Sequence, residues 1–284
     1  MSNLIRSAKS GSDWTTADLD AYNINIATEP VVTFFGTETL PQPQVDQELL
    51  QVRDAPNMVG DRNAELVNLL DLAMVPSSEE SAVNDFAVEL FKALGYVRRN
   101  RIARTHMDIP FLICGEWRNT KTDVCLLDRD QNDILLLVQE DKRFGQGENA
   151  TTDAQAQLVA EAIGAFSYNN RRRTEAGLEE LNAKVGHLLC CVTFWLMYIL
   201  NKVIPGIVMT GTTPTFYKIP VTSQLEYSVR HGLFPSQPTR VAMHHPTVPR
   251  PNRRWSEGMK PLDSRSEILK CYEAFKVVIG MTRV

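Results

Sequence analysis

The run Ile134-Leu135-Leu136-Leu137-Val138 constrains this chain more than any other feature. A continuous apolar stretch of this length, ending abruptly in charge, is expected to be a strand covered on both faces rather than an edge strand half in water. Upstream, Thr122 to Leu127 is a second such stretch, and the polar residues Asp128 to Asp133 between them read as a turn. The two runs are therefore expected to form a hairpin at the centre of a sheet.

The charged end carries the chemistry. Alternation along a strand gives Glu140 and Lys142 one face and Asp141 the other. If Leu127 pairs with Ile134, the antiparallel register sets Asp123 opposite Val138, diagonal to Glu140. Such diagonal neighbours lie roughly 7 to 8 Å apart, close enough for two carboxylates to share one hard cation. Asp128, Asp130 and Asp133 sit at the far end of the hairpin. A buried strand surfacing into water would show the same acids and lysine, and that bland explanation carries similar weight for the short motif alone.

The flanking segments supply an order of elements. Ser77 to Ser81 offers serine caps and first-turn acids, followed by Val83, Phe86, Ala87, Leu90, Phe91 and Leu94 at helical spacing and by Gly95 as a stop. Arg98 to Arg104 reads as a basic connector and Ile109 to Trp117 as a strand before the hairpin. A helix is expected from about Thr152 to Asn169, with Gln155, Gln157 and Glu161 off its apolar stripe. Arg171, Arg172 and Arg173 close it, where cations meet the carbonyl dipole. Strands are expected at Gly206–Met209 and Phe216–Val221.

Asp123 near one strand's end and Glu140-x-Lys142 at the end of the next resemble the core of the PD-(D/E)XK, or restriction-endonuclease-like, nuclease superfamily. The resemblance covers about residues 77 to 222. It departs from the family pattern in having Thr122 where a proline commonly precedes the aspartate, and an acid, Asp141, within the E-x-K triplet. It implies an α/β fold with a central mixed sheet flanked by helices, in the order helix-strand-strand-strand-helix-strand. It also implies a Mg2+ (or Mn2+) ion held by Asp123 and Glu140, with Glu80 of the first helix, or Glu89 in its place, as a further ligand. Lys142 would orient or deprotonate the attacking water, and Gln157 would touch the substrate.

Outside that core, residues 1–75 are expected to be an N-terminal extension packed on a domain spanning 76–284. In it, Val31 to Phe35 reads as extended and Asn63 to Leu72 as a short helix. The apolar run Leu188 to Leu200 is about 13 residues, too short to cross a bilayer, so no membrane is expected as a partner. The Pro-, Arg- and His-rich tail from Phe234 reads as a surface loop, and Ser264 to Val278 as a closing helix. Its His244-His245 pair has no metal-ligand spacing to a cysteine or a third histidine.

Of the 284 residues 43% are apolar, enough for a substantial core. Five scattered cysteines without a C-x-x-C pair argue against a disulfide framework or a structural zinc site, and point to a reducing, intracellular compartment, cytoplasmic or nuclear. A net charge of −4 counts against a nonspecific nucleic-acid coat, though not against an enzyme with a local basic groove, and gives the nuclease reading less weight. The expected activity is metal-dependent hydrolysis of phosphodiester bonds in nucleic acid, DNA ahead of RNA, with the oligomeric state open and a dimer allowed. The alternative is a catalytically inactive binding or scaffolding protein on the same fold. A small-molecule acid-base enzyme is a third reading, which no glycine-rich loop or nucleophile motif supports.

Overall fold

The computed structural model describes residues 6–75, 81–130, 133–140, 151–181 and 202–281. A short helix α1 (Thr16–Ala21) leads into strand β1 (Ile24–Thr28), followed by α2 (Val31–Phe35), α3 (Glu48–Gln51) and α4 (Asp61–Ala73). Then come α5 (Ser81–Ala93), β2 (Arg101–Ile113), β3 (Glu116–Asp128), β4 (Ile134–Glu140) and α6 (Thr151–Glu175). The chain continues through β5 (Lys202–Thr210), β6 (Thr213–Val221), α7 (Ser223–His231), β7 (Thr239–His244), α8 (Arg254–Glu257) and α9 (Leu262–Ile279). The expected α/β architecture is present: the strands form one mixed sheet in the order β1-β7-β6-β5-β4-β3-β2.

Two apolar layers cover the sheet, as the continuously apolar β4 requires. On one face, Val124, Leu126, Leu136 and Val138 pack with α4, with the expected stripe of α5 (Val83, Phe86, Leu90, Leu94) and with Ile268, Tyr272 and Phe275 of α9. Tyr96, just past the Gly95 stop, donates to the Tyr272 carbonyl at 2.6 Å. On the other face, Cys125, Leu127, Ile134 and Leu137 pack with α1, α6 and α7. α6 comes very close here, since a Cβ on Gly206 of β5 would sit 2.8 Å from a methyl of Leu158.

Several expectations need correction. Leu127 does pair with Ile134, but a bulge follows, so Leu126 pairs with Leu136 and Val124, not Asp123, with Val138. The run Ile-Leu-Leu-Leu-Val is apolar on both faces, so it carries no alternation that could have fixed the register. The basic connector is shorter than expected, with β2 starting at Arg101. That strand ends at Ile113, and Glu116 and Trp117 open β3 across a turn in which Cys114 and Gly115 both have positive φ. Val31 to Phe35 is helical despite its β-branched and aromatic content, because Pro30 caps it and Gly36 ends it at φ 72°.

The tail from Phe234 is likewise not all loop. Thr239–His244 forms β7, parallel to β1 and antiparallel to β6. The first part of the chain is thus built into the sheet through β1, and β7 is the strand that admits it. The run Leu188 to Leu200 lies outside the described residues. Among the described residues, no helix is long and apolar enough to cross a membrane.

Candidate functional site

Among the described residues, pairing between β3 and β4 ends at Val124 and Val138, while β4 goes on pairing with β5 through Glu140 and β3 goes on pairing with β2 through Glu116. The two central strands therefore part company, and Asp123 and Gln139 are the first residues beyond the last pair. β2 bends at the same level: His106, between the paired residues Thr105 and Met107, has φ 51°, a left-handed backbone that breaks strand regularity. The separation leaves a crevice between the two backbones that side chains fill, since Asp123, Gln139 and Glu161 are all buried.

Asp123 is 6% exposed. Across the crevice lies α6, whose Glu161 is 1% exposed and whose Oε2 has no hydrogen-bond partner among the described residues. Burial pushes the Glu161 carboxyl well above the ordinary range, and the neighbouring Asp123 charge raises it further. Glu161 was expected to lie off the apolar stripe of its helix. It is instead enclosed, because α6 is covered on nearly all sides from Ala154 to Phe166.

Gln157 is one helical turn before Glu161, on the same side of α6. Its Oε1 accepts from Gln139 Nε2 at 3.3 Å, and its Nε2 donates to the Ser12 carbonyl at 2.8 Å. The 3-10 turn Gly11–Asp13 is thereby held against the crevice, with Gly11 so close to Thr120 that a Cβ would meet its hydroxyl at 2.3 Å. Nearby Cys125 has its thiol pushed up to about 11 by burial, so it holds no thiolate for nucleophilic work.

Of the residues singled out from the sequence, the fold brings Asp123 and Gln157 to one crevice. Glu140 closes β4, paired with Met209 of β5, and its side chain lies outside the described residues. Lys142 and Glu80 also lie outside them. Glu89 forms an ion pair with Lys92 on α5, in the layer across the sheet from α6. Glu161 and Gln139 were missed as site residues; the only hint of Glu161 was its spacing of four from Gln157. Among the described residues no group of three or more His, Cys, Asp or Glu gathers as a ligand set. What remains is an acid pair of hard oxygen donors, of the chemical type that suits Mg2+.

The chain was compared with protein-family models and with curated proteins, and no family model and no curated protein matches it.

Proposed function

We propose that the fork between β3 and β4 is the active site of a metal-dependent nuclease with a restriction-endonuclease-like core, hydrolysing phosphodiester bonds, with DNA ahead of RNA as substrate. The observation that carries this reading is the buried pair Asp123 and Glu161 at the place where the two central strands separate, next to the Glu140-x-Lys142 triplet. The order α5-β2-β3-β4-α6-β5 agrees with the helix-strand-strand-strand-helix-strand core. Two buried carboxylates side by side are costly unless one is protonated or a cation lies between them, so the pair suits a divalent ion.

In this reading Asp123 and Glu161 hold Mg2+ or Mn2+, Glu161 once it gives up its proton, because the register that sets Val124 against Val138 takes Glu140 off the strand face that would have matched it with Asp123. Such an ion supplies positive charge to phosphoryl oxygens and makes a bound water more acidic. Lys142 orients or deprotonates the attacking water and opposes charge growing on the phosphoryl group. Gln157 and Gln139, linked to each other, fix the amide edge of the crevice. The enclosure of α6 keeps bulk water from screening these charges.

The test is cleavage of plasmid and of end-labelled oligonucleotides in the presence of Mg2+ or Mn2+. Expected is activity abolished by chelation and lowered at least a hundredfold in Asp123→Ala and Lys142→Ala, on the order of the loss when a general base is removed. Activity unaltered in both variants would overturn the reading. A catalytically silent binding protein is the second reading, favoured by the raised proton affinity of Glu161: a neutral Glu161 beside Asp123 is a stable buried pair without any ion. Calorimetry with millimolar Mn2+ that registers no binding would support it.

A further inference from the structure

One transverse rank of side chains crosses the sheet on the α6 side. Gln139 of β4 is matched with Val208 of β5, and Val208 with Thr215 of β6. The position after the pair Phe216–His244 sets Thr215 against His245, just past the end of β7. Thr215 shares the α6 side with Tyr217 and Ile219, its alternate neighbours, and its hydroxyl meets Nδ1 of His245 at 3.0 Å. His244 turns to the opposite side, against Phe34 and Phe35. At about 4.8 Å per strand, His245 stands about 14 Å along the rank from Gln139 at the fork.

Arg254, the first residue of α8, closes the far end of the rank. Its carbonyl accepts from the Thr213 hydroxyl at 2.8 Å, and its guanidinium lies 5.7 Å over the ring of Trp255, which meets the His245 ring edge-on at 5.9 Å. Burial depresses the proton affinity of both histidines, and the nearby Arg254 charge depresses it further. The neighbouring arginines are answered by acids: Arg250 by Glu257 and Asp263, both at 2.6 Å, and Arg253 by Glu257 at 3.3 Å. Arg254 has no carboxylate partner among the described residues, although it is half-buried and burial disfavours its charge. Two residues past Val208, Thr210 shares the α6 side; it is 7% exposed, and its hydroxyl has no hydrogen-bond partner among the described residues.

We infer that Arg254, His245 and Thr210 form a subsite for a backbone phosphate of the substrate, an inference that rests on the nuclease reading of the fork. An anion answers the unmatched guanidinium and the idle hydroxyl together. Arg254 offers a planar pair of donors to phosphate oxygens. With the Thr215 hydroxyl donating to Nδ1, His245 offers its Nε2–H as well. α6 adds to this: linking the parallel strands β4 and β5, it runs back along the sheet, so it begins at Thr151 over this end. Its first N–H groups favour negative charge there, with Asp153 as the acid of its first turn. The span of about 14 Å to the fork is roughly four nucleotides of a duplex strand at about 3.4 Å each.

The test is fluorescence anisotropy of the full chain with a labelled DNA duplex of about 12 base pairs, long enough to reach from the subsite past the fork. It is run at several salt concentrations, in EDTA so that no cleavage occurs. Expected is saturable binding that weakens roughly tenfold or more in Arg254→Ala, with the slope of log affinity against log salt smaller by about 1. Arg254→Lys should keep the slope, and Arg253→Ala, whose charge Glu257 already answers, should alter neither quantity. Thr210→Val should weaken binding with the slope kept, and it carries the test if Arg254→Ala does not fold. By NMR, the His245 ring should take up a proton closer to neutral pH in the complex than at its value of about 4 in the free chain. The inference is overturned if Arg254→Ala, with unaltered circular dichroism, binds like the parent chain, or if Arg253→Ala weakens binding as much. It is also overturned if inorganic phosphate moves the His245 resonances while the duplex does not. Because binding is read without metal, this failure is distinct from an absence of Mg2+-dependent cleavage, which bears on the fork alone.

Discussion

Asn169 of α6 grips the backbone of Ile134 from both sides, accepting its N–H on Oδ1 at 2.8 Å and donating from Nδ2 to its carbonyl at 3.0 Å. The side chain replaces a strand neighbour where the bulge begins, and Arg173, one turn later, adds an ion pair to Asp133 at 3.1 Å. The helix thus holds the start of β4 while the far end of the same strand opens the fork. Asn169→Ala leaves a buried donor and a buried acceptor unsatisfied, each costing about 1–3 kcal/mol. Urea unfolding should register a loss of about 2–4 kcal/mol; a loss below about 0.5 kcal/mol, the ordinary surface range, would mean Ile134 finds other partners.

The state of Glu161 makes a pH prediction. Its carboxyl is raised in the folded chain, by burial first and by Asp123 second. Between the ordinary glutamate range and its raised value, the folded state binds more protons than the unfolded one, so stability falls as pH rises through that window. Below the ordinary range both states are protonated and the penalty is absent. In EDTA, Glu161→Gln should flatten this part of the stability profile and unfold at a higher temperature than the parent at pH 8. A variant that tracks the parent from pH 5 to 8 would show that Glu161 titrates normally.

Divalent ions should reverse that penalty if the acids share one. Thermal unfolding at pH 8 with Mn2+ at a hundred times its dissociation constant should show about 2.7 kcal/mol of added stability, an increment lost in Asp123→Asn and reduced in Glu161→Gln. Equal stabilisation of all three chains would locate the ion elsewhere.

Arg265 of α9 is buried, and its guanidinium donates to five backbone carbonyls, those of Leu49, Val52, Arg53, Met259 and Lys260, at 3.0 to 3.4 Å. It joins the segment after α3 to the closing helix through backbone acceptors, with the Asp71 and Asp54 charges near enough to favour its charged form. Burial lowers its proton affinity without discharging it. Arg265→Ala should cost about 3–5 kcal/mol, the range for removing a buried charged partner. Arg265→Lys, with fewer donors in a different geometry, should recover only part of it. Both can be read from denaturant midpoints, and a near-neutral alanine variant would refute the assignment.

What the sequence made legible was the helical periodicity of α5 and α9, which one covering layer imposes, and the helix after the charged triplet and the central hairpin, whose long apolar runs answer to cover on more than one side. The register was not legible, because Leu135, Leu136 and Leu137 are interchangeable between the two faces and a one-residue bulge leaves no trace among them. β7 was obscured because of its six residues only Val241 and His244 are buried, so it offered too little apolar pattern among the surrounding prolines. The strand-turn-strand-helix order set Asp123 and Gln157 at the same end of the sheet, whereas the burial of Glu161 was not legible: an acid inside an alanine-rich helix looks solvent-facing until the helix is known to be enclosed.

The pairing of β1 with β7 has a consequence for how the sheet is made. Ile24 meets Thr239, 215 residues further along, so β1 leaves the ribosome long before the neighbour it pairs with. The central hairpin can close locally, but the opposite margin of the sheet must wait for the 215 residues between its two strands, and such distant closures are slow and leave a strand edge open to wrong partners. Until β7 is made, the pairing edge of β1 stays unsatisfied, the state in which a strand is most exposed to mispairing.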